Sequence, residues 1–437
     1  MATVTTSIGS NSSIDTETPS SCSAVSDGYE VTFATDPTGV SVGDICVFTD
    51  EMTYYGDFTY LVTAISGSTY TLRYITDDSA MGDDSPCSLM DSSMNQASGT
   101  FKRCYSTITA WEADLDNSDY YSSGDDAVGE CHADSTFVEA AGVQIAGGGT
   151  VGLSSVTLTA HIDSRHDGTK GSGVVWQNAD STSSAYHVYL NNDNITVSWL
   201  ELDGNDARSH GIAVQAGDVH ITNNLIYDFH NSSGVLVVFY FSDCCPYVTN
   251  NFIWNMTRSG SGLGAIFYST GTTRGFKGYN NTIYHVDFGS TSGHIFYNSW
   301  GDNDTKVRNL VLMDYENASL SNVSKDAGAV LDYWGMEATD SNVSDETIDT
   351  VANTFVDSTV SDPDLHLKEC CLFVDAGVDL GTSPTNVNID IDGRDRDSEG
   401  DTWDIGADES LYSPCSDSST QKRKYLDSLG FSLGLDG

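Results

Sequence analysis

Short runs of alternating apolar and polar residues, broken by Gly, Ser, Asn and Asp, fill most of the chain. This is the pattern of half-buried strands joined by turns. Three stretches share one layout: "GDVHITNNLIYDFH" (217–230), "PYVTNNFIWN" (246–255) and "FKGYNNTIYH" (276–285) each place an Asn-Asn pair before an apolar-aromatic run. Aligned on the second Asn, Asn224, Asn251, Asn281 and Asn309 are 27, 30 and 28 residues apart, and "ITVSWLELD" (195–203) fits one step earlier with Leu200 against Leu225. Repeats of this length, made of short strands and turn residues, predict a solenoid. Leucine frames and helical repeats are absent, which leaves an all-β chain built as a right-handed, single-stranded parallel β-helix. Successive coils of such a stack lie about 4.8 Å apart, so equivalent residues sit one above another. The four Asn residues are therefore expected to form a structural ladder, each amide pairing with the next and satisfying the turn backbone.

Other segments depart from the repeat. "VSVGDICVFTD" and "YLVTAISGSTYTLRYIT" predict a small β module with a hairpin across Ser-Gly-Ser. "YSTITAWEADLD" (105–116) is the best helix, capped by Ser106 or Thr107, with Ile108, Trp111 and Leu115 on one face. The expected organisation is an N-terminal β module and linker (1–100), a capping helix and first coils (101–160), parallel β-helix repeats (161–365), C-terminal coils with an end-cap (366–412), and an extended tail for assembly contacts (413–437).

Charge narrows the partners. With 18 basic against 63 acidic residues the formal net charge is −45. Binding nucleic acid or an anionic membrane surface requires cations to replace counterions, so neither is expected as a partner. Most of the acids are Asp, which suits turns and cation sites. No run of 18 apolar residues exists, so no membrane span is predicted, and the N-terminus shows no signal-peptide pattern. The ten cysteines lack a C-x-x-C pair, and one member each of Cys244-Cys245 and Cys370-Cys371 is expected to fill the core.

Residues 362–409, "DPDLHLKECCLFVDAGVDLG" through "DIDGRDRDSEGDTWDIGADE", resemble the last coils of parallel β-helix proteins of phage virions and bacterial surfaces. Asp362, Pro363, Leu365, Asp375, Ala376, Gly377, Asp390, Asp392, Gly393, Arg396, Asp404, Ile405, Gly406, Ala407 and Glu409 carry the match. "LTAHIDSRHDGTKGSGVVW" (158–176) resembles an early coil of similar proteins. The resemblance implies the β-helix fold and an end-cap in which Arg396 pairs with Asp404 or Glu409, near Asp392. It implies no single activity. The tail holds the basic cluster Lys422-Arg423-Lys424, read as an assembly contact.

Candidate chemistry is sparse. The residues after each strand end read Asp203, Asp228, Asn255, His285 and then Met313 or Asp314. Carboxylates of Asp203 and Asp228 on adjacent coils, with His210 nearby, suit a glycoside hydrolase acid pair. They equally suit a cation or plain turn structure. Asp395, Asp397 and Glu399 begin like a Ca²⁺ loop, but its twelfth position is Gly406, which offers no carboxylate. Ca²⁺ is thus an optional extra, and no cofactor is required. Tyr227, Trp254 and Tyr284 fall at equivalent positions, either as an outward sugar-stacking strip or an inward core stack.

Three functions fit. The chain is a phage virion structural protein, an accessory head (decoration) or tail (spike or fibre) subunit. Alternatively it is a tailspike-type polysaccharide depolymerase acting on host surface glycan, or a bacterial surface adhesin. A complete catalytic set is missing, so a non-enzyme is favoured. The expected state is a homotrimer docked on other virion proteins, assembled in the host cytoplasm.

Overall fold

The computed structural model describes residues 2–10, 12–26, 28–49, 57–75, 98–179, 186–206, 210–232, 234–242, 244–270, 275–289, 293–298, 305–316, 318–319, 330–338, 343–399 and 402–412. They fall into two compact units, Met1–Phe137 with Ala146–Ser164, and Val138–Ile145 with Arg165–Gly437. The expected tail, with Lys422, Arg423 and Lys424, lies outside the described residues.

In the first unit, a seven-stranded antiparallel sheet runs from Asp15–Glu17 at one edge to Pro19–Val25 at the other. Its apolar face closes on Val31, Phe33, Phe48, Tyr60, Leu72 and Phe101. The hairpin forms across Gly67 and Ser68, with Gly67 at φ +55° and Ser66 paired to Thr69. The expected module began at residue 1, but strand Thr3–Ile8 leaves it and pairs in parallel with Asp126–Cys131, which pairs in turn with Ser155–Ala160. Helix Ile108–Ala113 is capped by Thr107, whose hydroxyl accepts the Ala110 N–H at 3.0 Å. Trp111 packs over Gly129, where a Cβ would stand 2.6 Å from the indole.

The second unit is a parallel β-helix. One column of strands comprises Ile195–Ser198, His220–Thr222, Tyr247–Thr249, Lys277–Tyr279 and the start of Lys306–Glu316. The next comprises Val174–Asn178, Leu200–Asp203, Leu225–Asn231, Phe252–Arg258, Thr282–Asp287 and the rest of Lys306–Glu316. The third runs through Val143–Ile145, Tyr186–Leu190, His210–Val214, Leu236–Ser242, Gly264–Thr270, Gly293–Asn298 and Ala318–Ser319. Inside, Phe267 stacks with Phe239 and Phe296 at 5.1 Å each, and with Phe276 at 4.9 Å.

The corner between the first two columns explains the Asn pairs. Asn223, Asn250, Asn280 and Asn309 take left-handed φ values of 51–56°, a region that Asn tolerates better than bulkier residues. The second Asn of each pair points inward. The Asn251 carboxamide oxygen accepts the Asn224 backbone N–H at 3.0 Å and its side-chain NH₂ at 3.1 Å. The Asn281 oxygen does the same for Asn251, at 3.1 and 3.0 Å. Asn309 does not continue this inner column. Tyr279 pairs with Arg308, so Asn309 sits above Asn280, and its Nδ2 donates to Asn280 Oδ1 at 2.9 Å. Leu310 takes the inner place, because a 29-residue coil shifts the alignment by one.

Among the described residues the stack does not end in a cap made of further coils. It closes with Val330–Met336 and Ser344–Ile348, and the following chain folds back along the flank. The outer Asn amides hold it there: Asn250 Nδ2 donates to Asn386 O at 3.0 Å, Asn280 Nδ2 to Val387 O at 2.9 Å and Asn309 Nδ2 to Val378 O at 2.8 Å. Asn223 Nδ2 reaches Ile389 O at 3.1 Å. The expected end-cap of residues 366–412 is therefore a strap spanning several coils. Together with the residues just before it, it seals Tyr227, Trp254, Tyr284 and Met313 beneath Phe355, Leu365, Phe373 and Ile405. Each large apolar side chain so buried contributes about 1.5–3 kcal/mol. Tyr227, Trp254 and Tyr284 thus form neither a sugar strip nor part of the inner core.

The vicinal cysteines lie outside the strands. Cys244 is buried and its Sγ donates to Val214 O at 3.2 Å, while Cys371 is buried and Cys370 is disulfide-bonded.

Replacing Asn251 with Ala strips partners from the Ile221 and Thr249 carbonyls and from the Asn224 N–H. At roughly 1–3 kcal/mol per stranded buried group, Asn251→Ala should cost about 3 kcal/mol or more in urea unfolding followed by circular dichroism. A cost under about 1 kcal/mol would show that the ladder contributes little.

Candidate functional site

A second left-handed bend, later in each coil, produces a polar row beside the strap. Asp228, Asn255, His285 and Asp314 have φ between 52 and 58° and occupy equivalent positions on four coils. Asn255 Nδ2 donates to Asp228 Oδ1 at 2.6 Å, and His285 Nδ1 lies 2.7 Å from Asp314 Oδ2. Asp203 is not in this column: it pairs with Tyr227, one residue short of Asp228, because that coil is 24 residues long. Met313 likewise pairs with Tyr284, which places Asp314 in the row.

Asp203 and Asp228 remain on adjacent coils, and the Asp203 carboxyl senses the Asp228 charge. Lys170 Nζ donates to Asp228 Oδ2 at 2.6 Å and lies 4.7 Å above the Tyr227 ring. Asp203 accepts from Gln177 Nε2 at 2.6 Å and from the Asn205 N–H at 2.7 Å. Below them, fully buried Glu201 accepts the Gly171 and Gly173 N–H groups at 2.7 and 2.6 Å and the Tyr227 hydroxyl at 3.0 Å. Glu201 and Asp228 therefore pin the loop that carries Lys170.

Burial raises the Asp203 carboxyl above its usual range, and repulsion from Asp228 adds to this against the donors. Burial alone would lower the Lys170 ammonium, but Asp228, Asp203 and Asp206 together hold it above its usual value. The arrangement sets Asp203, its carboxyl raised, beside the Lys170–Asp228 ion pair. Both carboxylates are nonetheless engaged by protein donors. His210 lies elsewhere, its ring 5.0 Å from Tyr186 in the third column.

The strap carries the densest charge network. His366 bridges Asp364 (Nδ1, 2.6 Å) and Asp392 (Nε2, 2.9 Å). Arg394 contacts Asp390, Asp392 and Asp408. Arg396, fully buried, bonds Glu409 at 2.7 Å and the carbonyls of Gly406 and Ala407. Asp404 does not pair with Arg396 but accepts the Asp375 and Ser410 N–H groups at 2.6 and 2.7 Å. His366, Asp392 and Asp408 offer ligand atoms within 4.8 Å of one another. Arg394 and a protonated His366 already occupy the position a cation would take. In the expected Ca²⁺ loop, Asp395 accepts from Asn388 Nδ2 at 2.9 Å and Asp397 from Trp403 Nε1 at 3.1 Å, so these two are spent on the strap's own fold. The Glu399 side chain lies outside the described residues.

One feature was legible but missed: "FY" recurs at Phe239-Tyr240, Phe267-Tyr268 and Phe296-Tyr297, in register along the third column. Each Phe goes inward and each Tyr outward, half-buried.

Among the described residues no helix is long and apolar enough to cross a membrane. No family model and no curated protein matches the chain. Solved structures with partial similarity include the tailspike protein gp49 from Pseudomonas phage LKA1, at 13% identity over 79% of this chain and 67% of that one, with a TM-score of 0.16. Another is the Gp54 tailspike of Acinetobacter baumannii bacteriophage AP22 in complex with capsular saccharide, at 11% identity over 78% of this chain and 62% of that one, TM-score 0.16. Scores this low carry no argument about function. The strand register itself defines the protein as a parallel β-helix.

The strap's titration has a definite sign. Burial raises Asp404, with Glu409 adding repulsion, and raises Asp408 to about 6. Burial would lower His366, but Asp364, Asp392 and Asp408 hold it at about 11. All three bind protons more tightly folded than unfolded. The stability of Asp404 and Asp408 is complete below about pH 4 and lost as pH climbs through 6 and beyond; that of His366 is complete below about 6.5 and lost toward 11. Asp364 is lowered mainly by its His366 bond, and its share fades only as pH falls below about 4. Strap stability, followed by tryptophan fluorescence during denaturation, should peak near pH 4–6 and decline toward pH 8. Asp408→Asn should flatten that decline; an unchanged slope argues against its role.

Proposed function

We propose that the chain is a structural subunit of a phage virion, an accessory head or tail spike or fibre component whose β-helix serves as a stiff shaft. The observation carrying this reading is the strap, which seals the flank over several coils, while beside it Lys170 and Gln177 already bond Asp228 and Asp203; this suits a durable element better than an open reaction site. The subunit is a homotrimer in the particle, with residues 413–437 contacting other virion proteins. Deleting 413–437 should leave a folded protein that fails to enter particles, and native mass spectrometry should find three copies together in the full-length protein. Normal incorporation of the truncated chain, or monomers alone in both solution and particles, contradicts the assembly scheme.

A second reading, a depolymerase acting on host surface glycan, is favoured by the raised carboxyl of Asp203 beside Lys170-paired Asp228. Asp203 would be the proton donor and Asp228 the opposing carboxylate. On that reading, wild type releases reducing sugar from host capsule, and Asp203→Asn/Asp228→Asn abolishes release while particles still assemble. Absence of release by wild type removes it.

A further inference from the structure

The third column of strands differs from the rest of the molecule in charge. Although 19% of the chain is Asp, Glu, Lys or Arg, none of these occurs in its seven strands. Several of its outward positions hold rings. Tyr240, Tyr268 and Tyr297 follow one another coil by coil at centroid separations of 5.4 and 5.1 Å, each ring tilted 45° to the next. In the coil before Tyr240 the equivalent residue is Ala213, and the ring of Tyr186 fills that gap, 5.7 Å from Tyr240 and 5.0 Å from His210. His294 extends the far end, 5.0 Å from Tyr297. All of these rings are half-buried rather than covered by the strap. Thr270 Oγ1 donates to the Tyr240 hydroxyl at 3.1 Å, which orients one phenol.

We infer that this tyrosine strip is a binding surface for an uncharged polysaccharide lying along the β-helix axis. Tyrosine presents a flat apolar face and a hydroxyl that bonds polar groups, and its two side-chain torsions lose little entropy on binding. A sugar ring has the complementary pair of features, C–H faces and edge hydroxyls. A row of rings one coil apart offers repeated contacts to a repeating polymer. Charge decides against an anionic polymer, which would approach a chain of net charge −45 with no Lys or Arg in the strip to receive it. The inference stands apart from the virion reading and from the Asp203–Asp228 pair.

Native affinity electrophoresis of the full chain tests it, in gels containing hydroxyethylcellulose, dextran or galactomannan, with polygalacturonate as the anionic comparison. At least one neutral polymer should retard the wild type, and polygalacturonate should not. Tyr240→Ala/Tyr268→Ala should weaken retardation at least about tenfold, whereas Tyr240→Phe/Tyr268→Phe, which keeps both rings, should retain most of it and so separates stacking from misfolding. The inference fails if no neutral polymer retards the protein, or if the alanine pair behaves as wild type. It also fails if retardation is lost in Asp203→Asn/Asp228→Asn and kept in the alanine pair, an outcome that would move glycan binding to the acid row. Loss of self-association in the alanine pair without loss of retardation would make the strip a subunit contact and overturn it too.

Discussion

A chain that climbs one strand spacing per coil must turn sharp corners in the same place every time, and there the outer Asn N–H still meets a carbonyl of the next coil while the inner Asn N–H is left to a side chain. Buried peptide groups cannot stay unpaired without a cost comparable to a lost hydrogen bond. The inner asparagines meet this constraint, because one carboxamide can accept the N–H from the coil before it and donate to carbonyls on two coils. The outer asparagine of each pair supplies the left-handed bend itself. The repeat length, the stacking of apolar residues and the position of every outward side chain follow from where those corners fall.

The same corners determine what lies outside. Because outer Asn amides project from successive coils, they form a line of donors to which an extended segment can bond, and the strap uses that line. Its other half is ionic. Asp390, Asp404, Asp408 and Glu409 are buried, offset by Arg394, Arg396 and His366. A buried network of this kind is weak testimony for net stability, since desolvation opposes the attraction, but it is demanding about geometry. It fixes one register of the strap on the flank and makes that register sensitive to protons.

The two outward faces are chemically opposite. Along the left-handed row beside the strap, carboxylates, Lys170 and His285 bond to one another and to the loop before Val174–Asn178. Along the third column there are rings and no charges. Partition of this sort on a strongly acidic protein leaves one strip on which an uncharged partner meets little desolvation of ions, which is where specific contact with a polymer is physically easiest.

The sequence alone determined the repeat, and with it the stacked coils and the inner amides of Asn224, Asn251 and Asn281, because period and turn chemistry are local properties of the chain. It could not place Asn309, Asp203 or Asp314 in their columns, since coils of 24, 27, 29 and 30 residues differ in loop length and a one-residue slip exchanges inside for outside. The "DIDG" and "DIGA" segments resembled an end-cap in sequence. Only the tertiary structure decided that they lie along the flank, because that depends on an exposed apolar row, Tyr227, Trp254 and Tyr284, seeking cover from a segment far along the chain. Long-range burial of this kind leaves no mark at either site taken by itself, and so it also decided which aromatics were hidden and which, in the third column, remained at the surface.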